Sequence, residues 1–187
     1  MIRVIAGRAK GRKLKKVPGD STRPIMDRVK ENLFNILGRD VEGTRWLDLF
    51  AGTGQVGIEA LSRGAQSVVF VDTAYPAIRT IKDNLQHTGL VAEAQVVQKD
   101  AFAFLQQEPA QKFDVIYVAP PQYKGIWAEV MAVVGERPLT YLTPTGIIIV
   151  QIDPKEYKEL SLQTFSLYDQ RKYGNTQLDF YEIANDK

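Results

Sequence analysis

The middle of this chain alternates between short apolar runs and segments with the spacing of amphipathic helices, and this alternation limits its possible folds most strongly. The apolar runs predict strands over 46–50, 67–72, 94–98, 113–118 and 146–152. The segments between them predict helices over 56–63, 77–87, 102–107 and 126–135. Strands separated by helices form parallel sheets that are covered by helices on both faces. The chain is therefore expected to be an α/β protein.

The C-terminal part departs from this alternation. Residues 164–168 and 177–183 alternate between apolar and polar side chains around Gly174 and Asn175, which predicts an antiparallel hairpin. A short helix is expected just before it, over 156–160. The length of 187 residues suits one domain.

The N-terminal part also predicts regular structure. Two short strands over 3–6 and 14–17, separated by a glycine-containing turn, predict a second hairpin. A helix should follow over 28–37, with Asp27 as its N-cap and Gly38 at its end.

A glycine-rich segment joins the first predicted strand of the sheet to its helix. Gly52, Gly54 and Gly57 have the G-x-G-x-x-G spacing, which permits a tight turn and the close approach of a ligand to the backbone. Asp72 follows at the end of the second strand, twenty residues after Gly52. This spacing matches a dinucleotide site, and a site for S-adenosylmethionine (SAM) is the competing interpretation.

Asp48, just before the glycines, favours SAM. A carboxylate there would repel a pyrophosphate at the helix N-terminus, whereas the ammonium and sulfonium groups of SAM would be attracted to it. Asp72 could accept hydrogen bonds from the ribose hydroxyls and Asp100 from the adenine amine, with helix N-capping as the alternative role for each. All three acids end neighbouring strands, where open α/β sheets bind their ligands.

Charge is unevenly distributed along the sequence. Residues 1–30 carry ten basic and two acidic side chains, a net charge of +8, which leaves −6 for the remainder of a chain with a formal net charge of +2. A concentrated basic segment on an otherwise acidic protein indicates a polyanionic partner that is bound through its phosphates. A solvated basic tail is the alternative interpretation.

Several kinds of site are excluded or disfavoured by composition. The chain has no Cys and a single histidine, His87, so disulfides and thiol nucleophiles are excluded and no metal site is expected. No apolar run reaches the roughly 18 residues of a membrane helix, and the N-terminus lacks the apolar core of a secretory signal. We therefore expect a cytoplasmic protein without membrane contact, and a monomer by default.

Several longer strings resemble one family of enzymes. The run 47–54, Leu-Asp-Leu-Phe-Ala-Gly-Thr-Gly, continues into 57–65, Gly-Ile-Glu-Ala-Leu-Ser-Arg-Gly-Ala. Thr22-Arg23-Pro24 and the strings at 3–7, 11–14, 27–31 and 33–37 extend the match towards the N-terminus. Together they resemble the RsmD family of small-subunit rRNA guanine-N2 methyltransferases along essentially the whole chain.

The resemblance implies a fold, a cofactor and a substrate. The fold would be the seven-stranded Rossmann-like sheet of the class I SAM-dependent methyltransferases, with an rRNA-binding β-hairpin over 1–21 and the methyltransferase domain over 22–187. The reaction would transfer a methyl group from SAM to the exocyclic amine of a guanine in 16S rRNA, free or within the small ribosomal subunit. The candidate cofactor-binding residues are Asp48, Phe50, Ala51, Gly52, Thr53, Gly54, Asp72, Asp100, Ala101 and Ala119. The candidate RNA-binding residues are Arg8, Lys10, Arg12, Lys13, Lys15, Lys16 and Arg23.

The chain departs from the family where the catalytic loop is expected. The family has Asp-Pro-Pro followed by an aromatic residue, and this chain has Ala119, Pro120, Pro121, Gln122 and Tyr123. A carboxylate at position 119 would accept a hydrogen bond from the target amine, and an aromatic ring would stack on the flipped base. The candidate catalytic residues are Pro120, Pro121, Gln122 and Tyr123, with the Gln122 carbonyl as a substitute acceptor and Tyr123 as the stacking ring.

Other outcomes stay open at this stage. Backbone carbonyls and in-line positioning could sustain transfer without a side-chain acceptor. The chain could instead methylate another nucleic-acid base, or bind SAM and RNA as a non-catalytic assembly factor. A nicotinamide-dependent oxidoreductase is the most distant alternative.

Overall fold

The computed structural model describes residues 1–19 and 24–185. Its strands are β1 (Ile2–Arg3), β2 (Lys13–Leu14), β3 (Arg45–Asp48), β4 (Ser67–Asp72), β5 (Ala94–Gln98), β6 (Phe113–Val118), β7 (Leu142–Ile152), β8 (Phe165–Tyr173) and β9 (Thr176–Ile183). Its helices are α1 (Asp27–Leu37), α2 (Gln55–Ser62), α3 (Tyr75–Thr88), α4 (Ala101–Leu105), α5 (Ile126–Glu136) and α6 (Pro138–Tyr141). Short 3-10 turns lie at Gly38–Val41, Val91–Glu93 and Pro154–Glu156.

Seven strands form one sheet in the order β5-β4-β3-β6-β7-β9-β8. The first five are parallel, whereas β9 runs antiparallel to β7 and β8 antiparallel to β9. The predicted seven-stranded α/β sheet is confirmed. The chain order reverses at β3, so the carboxyl ends of β3, β4 and β6 meet at a switch point that can hold a ligand.

Helices cover both faces of this sheet. Side chains of α1, α2 and α3 pack with Trp46 and Tyr117 on one face, and side chains of α4, α5 and α6 pack with Leu47 and Ile116 on the other. Successive strand residues point to opposite faces, which is why neighbours such as Trp46 and Leu47 enter different cores. The central strands are therefore apolar on both sides.

The N-terminal hairpin of β1 and β2 is antiparallel and docks on the end of α2. Both oxygens of Glu59, a fully buried residue, accept hydrogen bonds from the backbone N–H groups of Ile5 and Ala6, at 2.8 and 3.1 Å. The Ser62 hydroxyl donates to the Ala6 carbonyl and accepts from the Ala9 N–H. Buried polar groups thus hold this segment against the sheet domain.

Lys30 completes this buried network. Its ammonium lies 3.6 Å from Glu59 and donates to the Arg3 carbonyl and to Gln55 Oε1. Burial lowers the pKa of Lys30, and the charge of Glu59 opposes that shift. Arg63 contacts the same carboxylate at 2.9 Å, so one acid holds two cations and the hairpin backbone together.

The structure corrects several local predictions. Met26 is the N-cap of α1, and Asp27 is the first helical residue, where it pairs with Arg3. The helix expected over 156–160 is wrong, because only the 3-10 turn Pro154–Glu156 forms there. The two strands of the N-terminal hairpin, β1 and β2, are shorter than expected, and each begins one residue earlier than predicted. The predicted boundary between residues 21 and 22 lies outside the described residues.

Candidate active site

A cleft of about 550 Å³ lies at the carboxyl ends of β3, β4 and β6. Of the predicted cofactor residues, it is lined by Asp48, Phe50, Ala51, Gly52, Thr53, Asp72, Asp100, Ala101 and Ala119. The loop after β6 contributes Pro120, Pro121 and Gln122. Gly54 and Tyr123 do not line the cleft. The structure therefore brings most of the predicted cofactor and catalytic residues to one place.

Two glycines determine the geometry of the segment that joins β3 to α2. Gly54 has a φ of 79° and is the N-cap of α2, a conformation that side chains of L-residues rarely adopt. A Cβ added at Gly57 would lie 2.4 Å from the Phe70 ring, so only glycine lets α2 pack this closely on β4. Glycine is thus needed at Gly54 for backbone geometry and at Gly57, within α2, for close packing.

Asp48 is the buried carboxylate of the cleft. It is 1% exposed, and burial raises its pKa to about 7, although a hydrogen bond from the Gly57 backbone opposes that shift. Its Oδ1 has no hydrogen-bond partner among residues 1–19 and 24–185. An unsatisfied carboxylate oxygen suits a cationic ligand, and SAM has an ammonium and a sulfonium group. The buried Asp48 carboxylate of the cleft therefore fits the positive charges of SAM.

Asp72 and Asp100 both make local backbone contacts. Asp72 Oδ2 accepts from the Gly52 N–H at 2.9 Å and Oδ1 from the Ala74 N–H, so it ties the glycine loop to the end of β4. The N-cap of α3 is Ala74, so N-capping by Asp72 is wrong. Asp100 is the N-cap of α4 and uses one oxygen, Oδ1, for that purpose. Asp100 thus caps α4, as the alternative interpretation predicted, and also lines the cleft.

The loop after β6 separates two of the candidate catalytic side chains. Gln122 is half-buried and lines the cleft. Tyr123 has a φ of 63° and a 62% exposed side chain, and its hydroxyl donates to Asp153. Its backbone N–H donates to Glu156 at 2.6 Å, so the turn after β7 fixes this tyrosine at the rim.

Tyr117 and Gln151 are polar residues of the cleft that the sequence interpretation missed. Tyr117 is 2% exposed on β6, and its hydroxyl donates to the side-chain oxygen of Gln151 on β7. Both line the cleft, next to Ala119 and Pro120. The only sequence signal for Gln151 was its polar side chain near the end of an apolar strand. Tyr117 lies within an apolar strand, where the sequence does not distinguish it from a core residue.

The basic candidates lie on the N-terminal segment, and all six that the structure describes are exposed: Arg8, Lys10, Arg12, Lys13, Lys15 and Lys16. Arg8 pairs with Glu93 at 3.1 Å and Lys15 with Asp83 at 3.3 Å. Arg23 lies outside the described residues. Asn84 accepts a hydrogen bond from the Lys15 N–H and donates to the carbonyl of Thr53, which lines the cleft, so the basic segment adjoins the cleft.

The part of the chain that the structure describes lacks two kinds of feature. None of the helices there has the length and apolar character needed to span a lipid bilayer. Nor do those residues contain a group of three or more His, Asp or Glu side chains placed to hold a metal ion.

Solved structures share this architecture. A provisionally named methyltransferase from Escherichia coli, YhhF, superposes with a TM-score of 0.86 at 30% identity, and the match covers 97% of each chain. An RNA methyltransferase from Salinibacter ruber, solved with S-adenosyl-L-homocysteine, has a TM-score of 0.68 at 13% identity and covers 88% of this chain and 96% of its own; at that identity it supports the fold alone. The strand order and the cleft at its switch point define a class I SAM-dependent methyltransferase.

Sequence relatives narrow this class to one family. The family described as conserved hypothetical protein 95 matches residues 2–182. YlbH of Bacillus subtilis, a provisionally named rRNA methyltransferase, is 37% identical over 97% of this chain and 98% of its own. Ribosomal RNA small subunit methyltransferase D of Haemophilus influenzae is 34% identical over 93% and 94%. The chain belongs to this family, the RsmD family, and the resemblance seen in its sequence is confirmed.

Proposed function

We propose that this protein transfers a methyl group from SAM to the exocyclic N2 amine of a guanine in 16S rRNA. The observation that carries the proposal is a single cleft that joins the unsatisfied Asp48 carboxylate and the glycine loop to the Pro120-Pro121 loop, beside a basic hairpin. Relatives named ribosomal RNA small subunit methyltransferase D support the substrate. We place the reaction in the cytoplasm, with the protein acting as a monomer on rRNA or on the small subunit.

The cofactor would lie along the glycine loop. Asp48 would attract its positive charge, Asp72 would accept from the ribose hydroxyls and Asp100 would lie near the adenine. Because Oδ2 of Asp72 already accepts from Gly52, ribose binding would use the remaining acceptor positions of this carboxylate. When bound, SAM supplies a methyl carbon made electrophilic by the sulfonium.

The loop after β6 would hold the target base. The Pro120 carbonyl and the Gln122 amide would accept hydrogen bonds from the base, and the exposed ring of Tyr123 would stack on it. The guanine nitrogen forms a bond to the methyl carbon while the carbon–sulfur bond breaks, and the electron pair of that bond stays on sulfur. The surplus proton on nitrogen then passes to water.

The basic hairpin would position the rRNA. Lys10, Arg12, Lys13 and Lys16 are exposed on a segment that the buried Glu59 network fixes beside the cleft. Lysine and arginine contacts to phosphates orient an RNA without reading its sequence. The choice of nucleotide would then depend on the shape of the cleft and on the local rRNA structure.

Transfer of labelled methyl from SAM tests the proposal. The substrates are small ribosomal subunits and naked 16S rRNA that lack the modification, validated by transfer from the Escherichia coli relative. Incorporation recovered as N2-methylguanine after nucleoside analysis is the expected result. Methyl on another base would reassign the substrate, and retained SAM and RNA binding without transfer would favour a non-catalytic assembly factor.

A further inference from the structure

Ala119, directly after β6, has no side-chain acceptor for the proposed reaction. We propose that Gln151, carried by the neighbouring strand β7, accepts the hydrogen bond from the target amine that Ala119 cannot accept, and that Tyr117 holds the Gln151 amide in position. The inference rests on the proposed function and assigns that function a catalytic residue.

The pairing of β6 with β7 places Gln151 beside Ala119. The last paired residues of these parallel strands are Val118 and Val150, so the next residues along the chain are Ala119, directly after β6, and Gln151 of β7. Side chains two residues apart on a strand share a face, so Ala119 follows Tyr117 on the side of the cleft. All three residues line that cleft together with Pro120. Gln151 thus extends into the region that an acid at position 119 would serve.

The hydrogen bond from Tyr117 defines the orientation of the Gln151 amide. Burial and the nearby charge of Asp48 raise the pKa of Tyr117 well above its ordinary value, so the phenol keeps its proton at neutral pH. Its hydroxyl therefore donates to Gln151 Oε1. A carbonyl oxygen has two acceptor positions, and the second can accept an N–H of the base.

The chemistry of the target explains why such an acceptor matters. The lone pair of an exocyclic guanine amine is delocalised into the ring, which makes the nitrogen a poor nucleophile. A hydrogen bond accepted from one of its N–H groups localises the lone pair on nitrogen and directs it at the methyl carbon. An amide does not take up the proton, so Gln151 orients and polarises the amine, and water receives the proton after the bond has formed.

Gln151 has a more rigid support than Gln122, the other amide in the cleft. Gln122 lies on a loop after two prolines, whereas Gln151 belongs to β7, which is paired on both sides by β6 and β9. Side chains on strands are held more precisely than side chains on loops, and precise placement governs the rate of transfer. We therefore expect substitution of Gln151, and not of Gln122, to lower the rate of transfer.

The test compares Gln151→Ala with Gln122→Ala and with Gln95→Ala, an exposed amide on β5 outside the cleft. We expect Gln151→Ala to lower kcat by about 10- to 100-fold, with the Kd of SAM and the KM of RNA within about two-fold of wild type. Gln95→Ala should leave all three unchanged. A kcat of Gln151→Ala within about two-fold of wild type, or a large loss with Gln122→Ala alone, would overturn the inference while the proposed function stands.

A rescue experiment distinguishes chemistry from a structural role. Adding Ala119→Asp to Gln151→Ala restores an acceptor at the neighbouring position and should recover at least about ten-fold in kcat. Tyr117→Phe should lower kcat in wild type but have no further effect in Gln151→Ala, because its role acts through that amide. Absence of rescue together with additive losses would refute the assignment. If the wild-type protein transfers no methyl group to guanine, the proposed function itself fails.

Discussion

Burial raises the pKa of Asp48 to about 7, so a proton competes with any cation that approaches this carboxylate in the cleft. SAM binding should favour the ionised form and therefore be linked to loss of that proton. We expect the Kd of SAM to rise as pH falls below about 7, by up to about ten-fold per pH unit. Calorimetric titrations of wild type and Asp48→Asn measure this dependence. The variant should bind SAM more weakly at pH about 8 and lose the extra pH dependence, because it has no charge to titrate.

The stability of the ligand-free protein provides an independent test of the raised pKa of Asp48. The pKa of Asp48 is higher in the folded protein than the ordinary value of 3.8, so the native state binds more protons than the unfolded state between these values. The stabilising contribution of the Asp48 carboxyl to the free energy of unfolding is therefore present below about pH 4 and lost as pH rises through about 7. Asp48→Asn should have a higher Tm than wild type at pH about 8 without SAM. Parallel pH profiles for the two proteins would contradict the assigned pKa.

At the scale of elements, the contact between the N-terminal hairpin and α2 depends on one glycine. Gly7 has a φ of 87°, and a Cβ there would lie 1.9 Å from the Ser62 carbonyl oxygen. Gly11 has a similar φ of 83°, and no atom of the described residues lies within 4 Å of the added Cβ. Gly7→Ala and Gly11→Ala therefore share the strain of a left-handed residue, about 1–3 kcal/mol, and only the first adds a backbone clash.

We expect Gly7→Ala to detach the hairpin and Gly11→Ala to leave it docked. Hydrogen exchange measures this directly, because the N–H groups of Ile5, Ala6 and Ala9 are protected by Glu59 and Ser62. Gly7→Ala should lose protection at these amides and bind RNA more weakly, while SAM affinity changes little. Equal loss of protection in both variants would show that strain alone governs docking.

The elements that sequence reasoning predicted best are those with the clearest periodicity. The strands Ser67–Asp72, Ala94–Gln98 and Phe113–Val118 have the predicted bounds, because apolar runs between polar turns define both of their ends. The helix expected over 156–160 failed because a short segment without a regular apolar face has no such signal. The N-cap of α1 differed because Met26 adopts the extended cap conformation while Asp27 pairs with Arg3.

The candidate site could be predicted from the sequence where acidic residues stand at the ends of predicted strands. Asp48, Asp72 and Asp100 lie at or just after the ends of three consecutive strands, and the fold brings these parallel strand ends together. Gln151 lies far away in sequence and reaches the cleft only because β7 pairs with β6. The docking role of Glu59 depends on contacts with residues more than fifty positions away. Such long-range partners leave no periodic trace in a single sequence.

At the scale of the whole molecule, two buried side chains connect the basic segment to the glycine loop. Asn84 accepts from the Lys15 N–H and donates to the carbonyls of Lys15 and Thr53. Lys30 donates to the carbonyl of Arg3 and to Gln55, which begins α2. The surface proposed to bind rRNA and the cleft proposed to bind SAM are therefore parts of one packed unit, so phosphates held by the hairpin would define the position of the target base.

The placement of charge, rather than its total, should then determine RNA affinity. Replacing Lys10, Arg12 and Lys13 by Gln should weaken rRNA binding and reduce the slope of log K against log salt concentration by about 2 to 3, since each phosphate contact contributes about 0.7 to 0.9. A matched variant with Gln at Lys112, Lys158 and Lys172, all exposed outside the hairpin, changes the net charge equally. Filter binding across a salt series compares the two. The control should retain the wild-type slope, because its charges lie away from the bound phosphates, and equal losses in both variants would mean that net charge alone attracts the RNA.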